Sequence, residues 1–240
     1  MEYRYRHFKR ELLFEDMAWR GGIAVGEQMP DFDLPTTDGG RIRKTDFVGV
    51  KPLLLSFGSV TCPMTIDANP KLKHLHDQFG DRVAFVSLYV REAHPGDRYP
   101  QPQTMEQKLE FARELKKRDR LPWPVAVDDI DGTLHQKLDP KPSAVYILDV
   151  DGRVAFRALW SNDREGVLRR ALEELAAGRS PATEHTGRMV PMMRGIAHMD
   201  EVLAMSGPTA RRDVRRQAPP VYVMAKMAGL VRRPRARTPA

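Results

Sequence analysis

The chain has 240 residues, 41% of them hydrophobic, which is enough for one sizeable α/β domain with extensions at one or both ends. Its single cysteine excludes an intramolecular disulfide, fits a reducing compartment, and obliges any redox cycle to draw a second thiol from another molecule. The net charge of +7 is uneven: from Ser206 onward there are nine Lys or Arg against Asp213 alone, so the remainder is close to neutral and the basic character says nothing about the chemistry of the core.

Residues 1–25 read as an N-terminal arm with a short helix. Acids interrupt its apolar stretch between Glu11 and Trp19, which argues against a signal peptide. No window approaches the roughly 18 uncharged apolar residues of a membrane-spanning helix, so a cytoplasmic location is expected. A domain is expected over 26–178. Within it, the Asp38-Gly39-Gly40 turn between short extended pieces suggests a small hairpin or an edge strand. Pro52 to Phe57 reads as a buried strand, Pro63 to Phe79 as a helix with Ile66, Leu72, Leu75 and Phe79 on its apolar side, and Val83 to Val90 as a second strand. A helix over Thr104 to Lys117 and a third strand over Pro124 to Val127 follow.

Asp151-Gly152 then joins the strands Ala144–Leu148 and Arg153–Ala158 as a hairpin. The last predicted helix starts near Asn162, its expected N-cap, and stops at Gly178. This order predicts a three-layer αβα fold with a mixed central sheet and helices on both faces. Residues 179–240 read as a basic extension, favoured as flexible. Its Arg211, Arg212, Arg215, Arg216 and the run Arg232 to Arg237 are available to anionic surfaces, and Pro220 to Val231 is too short to span a membrane.

Cys62 falls between the first predicted strand and its helix. Pro63 suits the first helical position, where a missing N–H has no partner to lose. The sulfur is thereby set beside free N–H groups at the positive end of a helix, a placement that favours the thiolate, and Thr61 and Thr65 add hydroxyl donors. The other reading of Cys62 is a buried, inert thiol. Pro70, inside the same helix, is expected to kink it. Pro142, just before a strand, is either an ordinary strand-start proline or a cis proline that presents backbone to the thiol. His74 and His76 point to different sides of a helix, and Asp128, Asp129 and Asp131 read as turn caps, so no metal is expected.

The segment Pro30-Asp-Phe-Asp-Leu34, the strand leading to Cys62, Pro70, Pro142-Ser143 and the Asp151-Gly152 hairpin resemble the redoxin branch of the thioredoxin-like superfamily. Within it, Pro52-Leu-Leu-Leu-Ser-Phe-Gly-Ser-Val-Thr-Cys-Pro63, Leu88-Tyr-Val-Arg-Glu-Ala-His-Pro95 and Val125-Ala-Val-Asp-Asp-Ile-Asp131 closely resemble the iodothyronine deiodinases, over roughly residues 25–177. The resemblance implies a cysteine version of a selenocysteine site at Cys62, reductive removal of iodine from an aromatic ring, and an external thiol that completes the cycle. It places Glu92 and His94 at active-site positions, with His94 able to donate a proton or hold a phenol. Val60 stands where animal members carry a second cysteine. A second histidine is absent near Pro102–Thr104, and the Glu-Arg pair of the animal enzymes is absent at Pro142-Ser143.

Three alternatives remain. A one-cysteine peroxiredoxin-like peroxidase finds Ser59 at the right spacing but Leu55 where its proline belongs. A dithiol cycle within the chain is blocked by Thr65 at the second position of a Cys-x-x-Cys pair. A binding protein on a redoxin fold is the non-enzymatic reading. The expected site is therefore Cys62, Glu92 and His94, supported by Ser59, Thr61, Thr65, Pro142 and Ser143. No bound cofactor is expected. The expected partners are a small-molecule or peroxide substrate and a reductant such as thioredoxin or a low-molecular-weight thiol, and a homodimer is compatible with the chain.

Overall fold

The computed structural model describes residues 2–162, 166–181, 183–187 and 189–232, with side chains of the last helix as far as Leu230. The arm carries one short helix, α1 (Glu11–Glu15). The Asp-Gly-Gly turn joins β1 (Asp33–Pro35) to β2 (Arg41–Arg43), an antiparallel pair separate from the main sheet. Next come β3 (Leu53–Gly58), α2 (Pro63–Phe79), β4 (Ala84–Tyr89), α3 (Met105–Asp119) and β5 (Val125–Val127). A short α4 (Thr133–Lys137), unforeseen in the sequence, precedes the hairpin of β6 (Val145–Leu148) and β7 (Val154–Ala158). The chain closes with α5 (Val167–Ala176), β8 (Thr183–His185), α6 (Met189–Ser206), α7 (Pro208–Gln217) and α8 (Pro219–Arg232).

The main sheet has the order β5-β4-β3-β6-β7-β8. Strands β3, β4 and β5 run parallel, β6 is antiparallel to β3 and β7, and β8 adds in parallel to β7. Side chains alternate across this sheet as strand pleating requires. Leu54, Phe85, Tyr89 and Ile147 join one core with α2, α3 and α5. Leu53, Leu55, Phe57, Val86, Leu88 and Tyr146 face the other side, under α4 and the 29–42 segment. The result is the expected mixed thioredoxin-like sheet between helical layers, with β3 at its centre feeding α2.

Several local expectations change. Asn162 does not cap α5, whose N-cap is Gly166; its side-chain amide instead donates to Asp67 and to the Pro191 carbonyl. Gly178, with φ of +72°, ends that helix as expected. Helix α2 keeps its predicted span, Pro63–Phe79, with Pro70 exposed inside it. No cis bond occurs among the described residues, so the peptide before Pro142 is trans. The stretch favoured as a flexible tail is helical over most of 189–232, and the run from Arg232 to Arg237 lies outside the described side chains. No helix among the described residues is long and apolar enough to cross a membrane.

Candidate active site

Cys62 is the N-cap residue of α2, extended at φ −97° and ψ 115°, with Pro63 opening the helix behind it. The predicted position at the strand–helix junction holds, but the predicted ionisation does not. The residue is only 1% exposed, and burial pushes its thiol up to about 11, against the pull of the Thr65 hydroxyl and the backbone N–H groups of Thr65 and Met64. A helix end stabilises charge, yet removing a thiolate from water opposes it more strongly here. The Thr65 hydroxyl has no other partner among the described residues, so it favours the sulfur only in its ionised form.

Cys62 opens into a cavity of about 320 Å³. Its floor is Cys62, Pro63 and Met64, and its inner walls are Ala93, His94, Pro142 and Trp160. The arm closes one side through Tyr5, Phe8, Leu12 and Asp16, and the C-terminal helices close another through Met192, Ile196, Met199 and Val221. Arm and helices share a core of their own, in which Tyr5, Phe8 and Leu12 meet Ile196, Met199 and Leu203.

His94 lies just beyond the carboxyl end of β4 and lines the cavity with Cys62. Its ring packs on Phe8 at 4.7 Å between centroids. Nδ1 has no partner among the described residues, and burial lowers the imidazole to about 4, so it is neutral at physiological pH. Glu92 takes a different part. It is fully buried beneath the loop before Cys62 and does not line the cavity. One oxygen accepts from the Thr61 backbone N–H at 3.0 Å and the Thr61 hydroxyl at 2.5 Å, and the other accepts from the Tyr89 hydroxyl. Burial raises its carboxyl, against these hydrogen bonds and the Lys108 charge. Gln101 fixes the Glu92 backbone from both sides.

Thr61 links the two halves, because its hydroxyl also accepts from the His94 N–H at 3.1 Å. Ser59 accepts from the Ala93 N–H at 3.4 Å. Ser143 does not reach the sulfur; its hydroxyl pairs with that of Ser161 at 2.8 Å, which ties the start of β6 to the loop carrying Trp160. Asp128 and Asp129 cap α4 through the N–H groups of Leu134, His135 and Thr133. Asp131 is exposed, 3.8 Å from Arg4. The structure thus brings Cys62, His94 and Pro142 to one cavity and sets Ser59, Thr61 and Glu92 behind its floor.

Sequence reasoning missed Asp16, whose carboxyl burial raises to about 7, against the pull of Arg91 and Lys141. No local signal marks it, since it reaches the cavity only through the fold of the arm. It also missed Arg91, which stacks under Tyr3 and Tyr5 at 5.1 and 5.0 Å and donates to the carbonyls of Tyr3 and Pro140. Here a signal existed: a cation beside Glu92 at a strand end.

The family model for iodothyronine deiodinase matches residues 14–171. Thyroxine 5-deiodinase of Gallus gallus is 32% identical over 118 residues, covering 45% of each chain. Type I iodothyronine deiodinase of Xenopus laevis is 25% identical over 165 residues, covering 64% of each. The chain therefore spans less than two thirds of the length of these relatives. Two solved structures share the fold. An uncharacterized conserved protein from Geobacillus kaustophilus has 22% identity and a TM-score of 0.54, covering 66% of this chain and 85% of that one. A hypothetical protein from Sinorhizobium meliloti has 20% identity and a TM-score of 0.51, covering 69% and 91%. The family match contains both strand ends that build the site, the one leading into Cys62 and the one leading into Glu92 and His94, and on that match the chain belongs to the iodothyronine deiodinase family.

Proposed function

We propose that the chain is a thiol-dependent oxidoreductase that strips halogen reductively from an aromatic ring, with Cys62 as the attacking group, His94 as the proton carrier and an external thiol as the reductant. The observation that carries this reading is that Cys62 and His94, whose Nδ1 has no partner among the described residues, line one apolar cavity. Family membership supports it.

At rest, burial keeps both groups uncharged, the thiol protonated and the imidazole bare. With substrate bound, His94 Nδ1 takes the Cys62 proton, and Asp16 in the same cavity supplies a counter-charge for the imidazolium. The thiolate attacks the halogen. The electron pair of the carbon–halogen bond stays with the ring carbon, which takes the proton back from His94. Aryl halide and thiol thus become arene and a sulfenyl halide on Cys62. An external thiol displaces halide to form a mixed disulfide, and a second thiol releases Cys62 and leaves as the external disulfide. Two thiols are oxidised for each carbon–halogen bond reduced, and the scheme needs no bound cofactor. Glu92 acts from behind, holding Thr61 and so the loop that aims the sulfur.

The test incubates wild type and Cys62→Ser with a dithiol and three substrate classes: iodinated phenols, hydroperoxides and disulfides. Iodide release by wild type and none by the serine variant is expected. Turnover of hydroperoxide alone would replace this reading with a thiol peroxidase, and equal activity in the serine variant would remove the enzyme altogether.

A further inference from the structure

We infer that the cavity selects an uncharged halogenated ring and rejects the same ring bearing an amino-acid group, because its lining offers no cation to a carboxylate. Among the described residues that line it there is no Lys and no Arg, and Asp16 is the single carboxyl. Thioethers of Met17, Met64, Met192 and Met199 and the rings of Phe8 and Trp160 make up much of the rest. Such soft, polarisable side chains accept a heavy halogen and an aromatic face. A carboxylate drawn into this lining would lose its water with no cation among the lining residues to pair it, the Trp160 Nε1–H being a neutral donor only.

Tyr5, Phe8, Leu12, Met192, Ile196, Met199 and Val221 all lie outside the segment matched by the family model, residues 14–171. The floor, with Cys62 and His94, lies within it. The reacting groups therefore sit on the matched segment, and the two ends of the chain complete the cavity around them. Helix α6 comes close enough to close the cavity because Gly195 faces Met64, where a Cβ would collide with the thioether.

This inference rests on the dehalogenation reading for turnover but not for binding, so the two are measured separately. Cys62→Ser is titrated calorimetrically with ortho-iodo-para-cresol, monoiodotyrosine and ortho-iodotyramine, which share one iodinated phenol ring and differ only in the para substituent. The cresol is expected to bind at least about tenfold more tightly than either charged ligand. Equal or tighter binding of monoiodotyrosine would overturn the selection. So would a gain for the tyramine, which would make Asp16 a cation site. Iodide release is then followed with wild type. Selective binding without iodide release supports the cavity's preference and sinks the dehalogenation chemistry. Iodide release at equal efficiency from cresol and monoiodotyrosine, with equal binding, overturns the preference and leaves the chemistry standing.

Discussion

The titration of His94 gives the site a pH signature. Its imidazole is held near 4 by burial against an ordinary value of 6.5, so between those limits the unfolded chain binds a proton that the folded chain refuses. Stability contributed by the neutral ring is present above pH 6.5 and is lost as pH falls toward 4, by up to about 3 kcal/mol. Asp16 works in the opposite sense: its raised carboxyl favours the folded state below about pH 4, and that contribution is lost as pH rises toward 7. The two partly cancel in the wild type. Denaturant unfolding of wild type and His94→Gln across pH 4 to 7 separates them, with wild type expected to lose ground relative to the variant as the medium becomes acid; parallel curves would refute the burial of a neutral imidazole. Glu92 behaves differently, as a positioning residue. Glu92→Gln keeps the shape but exchanges a carboxylate acceptor for an amide, and is expected to remove about 1–3 kcal/mol of stability. With the Cys62 loop loosened, kcat should fall while KM holds, and an unchanged kcat would show that Thr61 does not transmit the position of Glu92 to the sulfur.

At the scale of elements, the seam between α2 and α6 determines whether the sulfur is covered. Asp67 on α2 stands 2.5 Å from Lys71, 3.8 Å from Arg194 and 3.6 Å from His198, and accepts from Asn162 at 3.0 Å. Burial would raise the Asp67 carboxyl, yet the hydrogen bonds from His198, Lys71 and Asn162 bring it down to about 2. The resulting stability is present above pH 4 and lost as pH falls toward 2, and after allowance for solvent screening it amounts to about 1–2 kcal/mol. Asp67→Asn should therefore lower the melting temperature near neutral pH and let α6 lift. Alkylation of Cys62 by iodoacetamide, slow in the wild type because the thiol is buried and protonated, should then quicken severalfold. A destabilised variant with unchanged alkylation would mean that α6 does not guard the cysteine.

For the molecule as a whole, the two chain ends act as one layer. His7 contacts Asp213 at 2.9 Å, and Tyr5 donates to the Ala93 carbonyl beside His94 at 3.0 Å. Lys141 holds the end of α1 through the Glu15 carbonyl at 2.6 Å. Phe8 lies at the centre, against the His94 ring on one side and the C-terminal helices on the other. Phe8→Ala should remove about 3–5 kcal/mol by leaving a void in that small core. Because the arm, α6 and α8 share it, the same change should speed Cys62 alkylation and weaken binding of ortho-iodo-para-cresol together. Loss of stability with neither of the other effects would show that the arm packs without roofing the site.

The amino-acid sequence by itself determined the central sheet, the helix beginning at Pro63, the placement of Cys62 before it, and the family. Those depend on local periodicity, on proline and glycine, and on short motifs that survive without knowledge of distant contacts. Only the tertiary structure decided that the thiol rests protonated, that Glu92 supports the loop while His94 faces the cavity, and that the presumed tail is part of the roof. The reason is desolvation, which depends on what covers a group. Here the covering atoms come from Ala93, Leu159 and Trp160 and from residues 5–17 and 192–221, all distant along the chain from Cys62, where no pattern of sequence spacing records their approach.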